Sequence, residues 1–496
     1  MLDILLTLLR PDTLLAMVGG TALGVVVGAI PGLGSILGLS VVLPFTFGMD
    51  ALPSIVLLIG VYAGSVYGGS VSAILINMPG TPQSAATSLD GYPMAVGGQP
   101  GLAIGWATLA SLVGGTFSAV VLMLIAAPVA TFSLRFGPPE FFALTLMALT
   151  CVVAVSRGSV IKGLIAAVVG LFVAVVGSDP MTGDLRFDFG VLELSGGVNR
   201  VAVLIGLFAL SEVFMQARSV DTPTAVDTSA LAFRLPPWSA VAARLKTLLK
   251  SCLIGTGIGI LPGTGATAAS FISYVEAKRS GRFRANFGKG EPEGIIASEA
   301  ANNAVTGGAL VPSLALGIPG DAVTALIVSL LIVKGVQPGP FLFMRDPGFI
   351  HSLFAAFIII NILMALIGAA LTGVFARILA VPTAILLGAI TLFSMIGAYS
   401  LAGSGADVIT CLVAGVVGFV LRLAGVPLAA LAIGLVLGPL VEESLRQSLI
   451  MTDGSFVAIF LRPYSGAVLV LTVALLAAVT LGNRGERPQR TTDEVA

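Results

Sequence analysis

Long apolar runs recur along the chain, each closed by a short polar or glycine-rich interval. Runs suited to crossing a bilayer fall near 55–77, 101–127, 141–156, 163–177 and 199–217, and again near 303–333, 350–375, 381–400, 404–421, 425–441 and 464–482. A helix needs roughly 20 apolar residues to span the hydrocarbon, so the pattern predicts an all-α polytopic membrane protein with about 11 spans. Two intervals do not fit simple spans. "GVVVGAIPGLGS" runs from Gly24 to Ser35 and "GTGIGILPGTGA" from Gly255 to Ala266. Both read G-x-x-x-G-x-x-P-G-x-G and then a small residue. Proline and paired glycines break helices, and lipid tolerates no unsatisfied backbone. Each motif therefore predicts a re-entrant or broken hairpin whose turn is covered by protein.

A second pair of interruptions follows. The first is "YGGSVSAILINMPGTPQSAAT", Tyr67 to Thr87; the second is "VTGGALVPSLALGIPGDAVTA", Val305 to Ala325. Matching Pro79-Gly80 with Pro319-Gly320 also brings Gly68 onto Gly308 and Ala85 onto Ala325. The glycine motifs are offset by 231 positions and these breaks by 240, which implies a small insertion between them. Two shared motifs in one order predict two structural repeats: residues 1–217, then a cytoplasmic linker at 218–250, the second repeat at 251–482 and a cytoplasmic tail at 483–496.

Charge placement sets the orientation. Arg218, Arg234, Arg244, Lys246 and Lys250 precede the second glycine motif, and Lys278, Arg279, Arg282, Arg284 and Lys289 follow it. The positive-inside rule puts both flanks in the cytoplasm, so 251–275 enters and leaves on one side, turning at Pro262-Gly263. Arg157, Lys162, Arg377 and Arg422 then fall inside. Asp179, Asp184, Asp188, Glu193, Glu442, Glu443 and Asp453 fall outside. Five spans separate the two motifs, an odd number, so the repeats are expected to be inverted, an arrangement common in secondary transporters.

Composition agrees and narrows the field. Only 10% of the 496 residues are charged, mean hydropathy is +1.05 and the net charge is zero. Soluble domains carry roughly 25% charge, and no basic excess points to nucleic acid. Cys151, Cys252 and Cys411 lie far apart in apolar runs, and His351 is the single histidine, so neither a disulfide framework nor a zinc site is expected. The N-terminal "MLDILLTLLRP" lacks a basic leader, and no removable signal peptide is expected.

Helices that stop inside a membrane expose N–H groups at their starts, which suit carboxylates, and C=O groups at their ends, which suit cations. The candidate substrate- or ion-binding residues are therefore Gly32, Gly34, Ser35, Asn77, Pro79, Gly80, Thr81, Gly263, Thr264, Gly265, Thr267, Asn302, Asn303, Gly320 and Asp321. Glycine there lets a ligand approach the backbone. G-x-x-x-G spacing alone also serves close helix packing. Asp321 either contributes to a site for Na⁺ or caps the next half-helix. With few cations in the apolar segments, an anion would rely on helix starts and hydroxyls. Neither glycine motif is a dinucleotide fingerprint or a phosphate loop, so direct ATP use is not expected. "AGSGADVIT" near Asp407 has an extra alanine relative to the G-x-G-D of intramembrane aspartyl proteases and lacks a partner aspartate in a neighbouring run. Asp407 is expected in a short extracytoplasmic turn.

"GAIPGLG", "YGGSVSAILINMPGTPQSAATSLDGYPMA", "GILPGTGATAASFISYVEAK" and "SEAANNAVTGGALVPSLALGIPGD" resemble the large membrane subunit of the tripartite tricarboxylate transporters, the TctA family. The resemblance covers nearly the whole chain, and "LDGYPMA", Leu89 to Ala95, matches especially well. It implies a non-enzymatic transport subunit of the bacterial inner membrane. Its partners would be a small membrane subunit and a periplasmic substrate-binding protein. The cargo would be citrate or another carboxylate, driven by a gradient of Na⁺ or H⁺, with no other cofactor. The competing readings are a self-sufficient organic-anion carrier, an intramembrane enzyme and an aqueous channel.

Overall fold

The computed structural model of the chain describes residues 2–155, 160–218, 232–263, 265–379 and 381–483. Thr264, Arg157, residues 219–231 of the expected linker and nearly all of the expected tail lie outside these residues. Seven helices are long and apolar enough to cross a membrane, and five shorter apolar helices accompany them among the described residues.

The first glycine motif joins α1 (Pro11–Ala29) to α2 (Gly34–Val42). Pro11 presets the first turn of α1, and Asp12 complements the positive helix start. Between the helices the chain reverses on Gly32 and Gly34, at φ +83° and +63°. After α3 (Ala51–Ile76), Asn77 ends the helix in the left-handed region at φ 56°. A short extended stretch and the turn Pro82–Ser84 then lead into α4 (Ala85–Val96). A 34-residue helix α5 (Pro100–Ser133) follows, with α6 (Pro138–Val155) and α7 (Val160–Ala174). The antiparallel strands β1 (Gly177–Ser178) and β2 (Leu185–Arg186) pair Gly177 with Arg186 and Ser178 with Leu185. The run expected at 199–217 is helical from Arg200 to Gln216 and widens into a π-helical turn at Gly206–Leu210.

The second glycine motif joins α8 (Leu245–Ile260) to α9 (Gly265–Ser280), with Gly263 and Gly265 at φ +84° and +71°. The same backbone reversal thus appears twice, because the same residues that tolerate positive φ recur in the same order. Residues 303–333, written above as one run, split into α10 (Pro292–Ala315) and α11 (Ala322–Val333) around Gly317 at φ +71°. The remaining long helices are α12 (Pro347–Leu371), α13 (Thr383–Ala402), α14 (Gly405–Leu423), α15 (Leu428–Met451) and α16 (Pro463–Asn483).

Glycine seams bring the helix backbones together. A Cβ on Gly24 would lie 2.5 Å from Val61 O, and one on Gly28 would lie 2.2 Å from Ser65 O. In α8, Gly255 stands 2.2 Å from Ala301 O and Gly259 stands 2.7 Å from Val305 O by the same measure. From the opposite helices, Gly68 meets Val25 O at 2.4 Å and Gly308 meets Thr256 O at 2.5 Å. Close backbone approach of this kind is how helices associate where lipid removes the hydrophobic drive. The outer helices α13 and α14 present Ile385, Leu392, Ile396, Ile409, Val413 and Val416 outward, an apolar surface suited to lipid.

Candidate functional site

All four interruptions converge on one cavity of about 830 Å³. Gly32, Gly34 and Ser35 come from the first glycine motif, and Gly263, Gly265 and Thr267 from the second. Pro79 and Gly80 come from the break after α3, and Asp321 from the break after α10. The starts of α2, α9 and α11, and the Pro82–Ser84 turn that opens α4, all meet the cavity. Helix starts carry unpaired N–H groups and positive partial charge, so this convergence favours an anion. Val152, Phe208, Leu428 and Ile433 form an apolar wall. The volume suits a small organic molecule.

The loops are stitched to each other. Gly263 N donates to Gly320 O at 2.6 Å, and Gly80 N donates to Gly69 O at 3.2 Å. Gln83 Nε2 donates to Ser35 Oγ at 3.5 Å, the limit of a useful bond. Asp321 caps α11. Its Oδ1 accepts from Thr324 N at 2.7 Å, and its own N–H donates to Thr324 Oγ1 at 2.9 Å, a capping box. Its Oδ2 still reaches the cavity side, where Tyr62 Oη donates to it at 2.9 Å. Thr81 and Ser84 form the corresponding capping box at the other break. Among the described residues no group of three or more His, Cys, Asp or Glu side chains that could hold a metal ion occurs.

Several candidates sit elsewhere. Gly320 and Thr81 are buried just behind the cavity, one through its carbonyl and the other through its cap. Asn77 is exposed and serves as the C-cap of α3, because a left-handed residue there releases the chain from the helix. Asn302 and Asn303 do not line the cavity; they are buried along α10, next to Glu299.

Three cavity groups were not singled out from the sequence. Tyr62 belongs to an unbroken stretch of α3. Glu212 and Arg422 form an ion pair on the cavity wall. The expectation that an anion must do without a cationic side chain is thus corrected: Arg422, at the last turn of α14, faces the cavity. The available signal was a lone arginine ending the apolar run "GVVGFVLRLAG", since an ionisable residue at such a position is usually functional. Asp407 lies in the first turn of α14, and Asn199 Nδ2 donates to its Oδ2 at 3.1 Å.

Comparison with known proteins identifies the family. The family model for the tripartite tricarboxylate transporter TctA family matches residues 14–433. An uncharacterized 52.8 kDa protein in the TAR-I ttuC' 3'region of Agrobacterium vitis is 36% identical over 475 residues, covering 96% of this chain and 94% of that protein. An uncharacterized protein in the TAR-II ttuC' 3'region of the same organism is 36% identical over 236 residues, covering 47% of this chain and 98% of that protein. No solved structure matches the chain. The match over most of its length establishes that this multi-pass membrane chain belongs to the tripartite tricarboxylate transporter TctA family.

Proposed function

We propose that the chain is the transport subunit of a tripartite secondary transporter importing citrate or a related organic acid across the bacterial inner membrane. It works with a small membrane subunit and a periplasmic substrate-binding protein, and an ion gradient drives accumulation. The observation that carries this reading is the single cavity at which three helix starts, the Pro82–Ser84 turn and Arg422 meet. Backbone N–H groups at the helix starts neutralise carboxylate charge, and the guanidinium supplies a fork of donors for one more carboxylate. Arg422 is held by Glu212 until an anionic ligand competes for it. The apolar wall covers the carbon skeleton.

The two broken-helix units, within residues 1–217 and 251–482, are inverted repeats in this reading, and matching seam contacts support duplication. The linker 218–250 and the tail lie in the cytoplasm.

Uptake of labelled carboxylates into proteoliposomes tests the proposal. The vesicles hold this chain and the small membrane subunit, with the binding protein added outside and an inward Na⁺ or H⁺ gradient imposed or omitted. Saturable uptake that needs both gradient and binding protein is expected. Uptake without the binding protein identifies a self-sufficient carrier instead, and current without saturation identifies a channel.

A further inference from the structure

Glu299 is wholly buried in α10, away from the cavity wall. Its Oε1 is in hydrogen-bond contact with Thr87 Oγ1 of α4. Its Oε2 accepts from Ser111 Oγ of α5 at 3.1 Å and from Asn303 Nδ2 at 3.4 Å. No ion pair found among the described residues includes it.

The titratable groups around it supply no counter-charge. From α3 comes Tyr67, a neutral phenol bonded to Thr108 Oγ1 at 2.9 Å. One turn further along α4, Asp90 accepts from the backbone N–H groups of Gly288, Gly290 and Glu291 and from Tyr274 Oη. At the start of α10, Glu291 is held by Arg244 and Glu293 by Thr247. An ionised carboxylate buried without a cation is strongly disfavoured.

The hydroxyl contacts around Glu299 can accommodate a proton on the carboxyl. Ser298 Oγ spends its proton on the carbonyl of Gly294 at 3.0 Å or Ile295 at 3.1 Å, so it is an acceptor toward Thr87 Oγ1 at 3.0 Å. A threonine hydroxyl has one proton, so Thr87 serves one of its two contacts, Ser298 Oγ or Glu299 Oε1. When Thr87 Oγ1 donates to Ser298 Oγ, a proton on Glu299 Oε1 completes the contact between Thr87 and Glu299; when it donates to Glu299, the carboxyl holds none. Ser111 receives the Asn303 amide at 2.8 Å and gives its own proton to Oε2. With the carboxyl protonated, every hydroxyl in the chain Glu299, Thr87, Ser298 is used in one direction.

The site is also equipped for the other state. The Asn302 side chain lies beside the carboxyl, fully buried, close enough to interact with it but with no hydrogen bond of good geometry to either amide atom. Its N–H is a donor in reserve for the carboxylate that remains after the proton leaves. The architecture itself does not require this polarity. At the matching offset of 240 positions, Glu299 corresponds to Ile59 and Thr87 to Ile327, both wholly buried.

We infer that Glu299 is a proton-binding site: its carboxyl donates to Thr87 Oγ1, releases the proton to water, and takes one up again as the carboxylate. Thr87 stands one helical turn beyond Gln83, which lines the cavity, so gain or loss of this proton alters the segment that touches substrate. Resting on the transport reading above, this proton is the one whose gradient drives accumulation.

Infrared spectroscopy of the purified full chain and uptake in the reconstituted system test the inference together. A carboxylic-acid C=O band is expected that Glu299→Gln removes. Thr87→Val should keep the band and move it to higher frequency, through loss of its acceptor. In vesicles Glu299→Gln should retain exchange of labelled carboxylate across the membrane and lose accumulation driven by a pH gradient. Absence of a Glu299-dependent band from acid to neutral pH overturns the inference. Erasure of the band by Na⁺ does so as well, by giving the site to the metal ion. Full accumulation by Glu299→Gln overturns the coupling role. Should the wild type move no carboxylate at all, the transport reading fails while the band still decides the proton site.

Discussion

Where α1 crosses α3, Gly24 and Gly28 lie against the carbonyls of Val61 and Ser65; where α8 crosses α10, Gly255 and Gly259 lie against those of Ala301 and Val305. Both pairs end in a left-handed glycine turn, and both following breaks restart on a capping box, Thr81 with Ser84 and Asp321 with Thr324. The pairs differ in what they bury. At matching positions α3 has Ile59 and Tyr62, and α10 has Glu299 and Asn302. Tyr62 donates to Asp321 in good geometry, whereas the Asn302 amide beside Glu299 makes no bond of that quality. Small residues and caps are therefore the part common to both pairs and belong to the scaffold. The unlike residues are free to serve the ligand and the proton.

Filling a seam should break the scaffold outright. Gly28→Val pushes a side chain into the Ser65 carbonyl and is expected to cost about 3 kcal/mol, the upper end for overpacking. Gly19→Ala on the same helix meets nothing within 4 Å and should stabilise by about 0.5–1 kcal/mol. Thermal unfolding in detergent reads both; equal behaviour of the two variants would remove the seam as the cause.

Ligand affinity should respond next. Arg422→Gln is expected to weaken carboxylate binding by about 1.5–3 kcal/mol, the range for a hydrogen bond to a charged group, with little change in melting. Titration calorimetry on the purified chain measures it, and unchanged affinity would take Arg422 out of the site.

The matched pair Tyr62 and Asn302 sharpens the contrast at smaller scale. Tyr62→Phe should cost about 1 kcal/mol through the lost bond to Asp321. Asn302→Leu, which removes an amide without a hydrogen bond of good geometry, should leave stability unchanged or raised. A larger loss in Asn302→Leu than in Tyr62→Phe would reverse this assignment.

The smallest effect lies outside both pairs. Arg446, with the Met181 N–H, holds the Asp179 carboxyl down at about 2. A depressed carboxyl contributes stability above its ordinary value and loses it as pH falls through the folded one. The β1–β2 loop should therefore loosen between roughly pH 4 and pH 2. Arg446→Met should shift that loosening to higher pH, while the glycine seams stay protected. Hydrogen exchange resolved by peptide follows both regions.

Much of the backbone was legible because its causes are local. Pro31, Gly32 and Gly34 reverse the chain, and so do Pro262, Gly263 and Gly265, through φ values that other residues rarely adopt. The break at 316–321 was harder to bound, since "LALGIPGD" is apolar enough to merge with its flanks in a run from 303 to 333. Asn77, Asn302 and Asn303 were read as site residues from residue type alone. Their direction depends on helix rotation, and it turns them to a cap and to the interior of α10.

The sequence by itself determined a membrane chain, its helix breaks, its glycine seams and its family. Hydrophobicity, proline and glycine act within a few residues, and a motif is a local string. Only the tertiary structure decided that Arg422 joins the glycine loops, that Asp321 is shared between a cap and Tyr62, and that Glu299 meets Thr87 across 212 positions. Those meetings depend on how helices cross and rotate, which the seam contacts set and which no single stretch of the chain encodes.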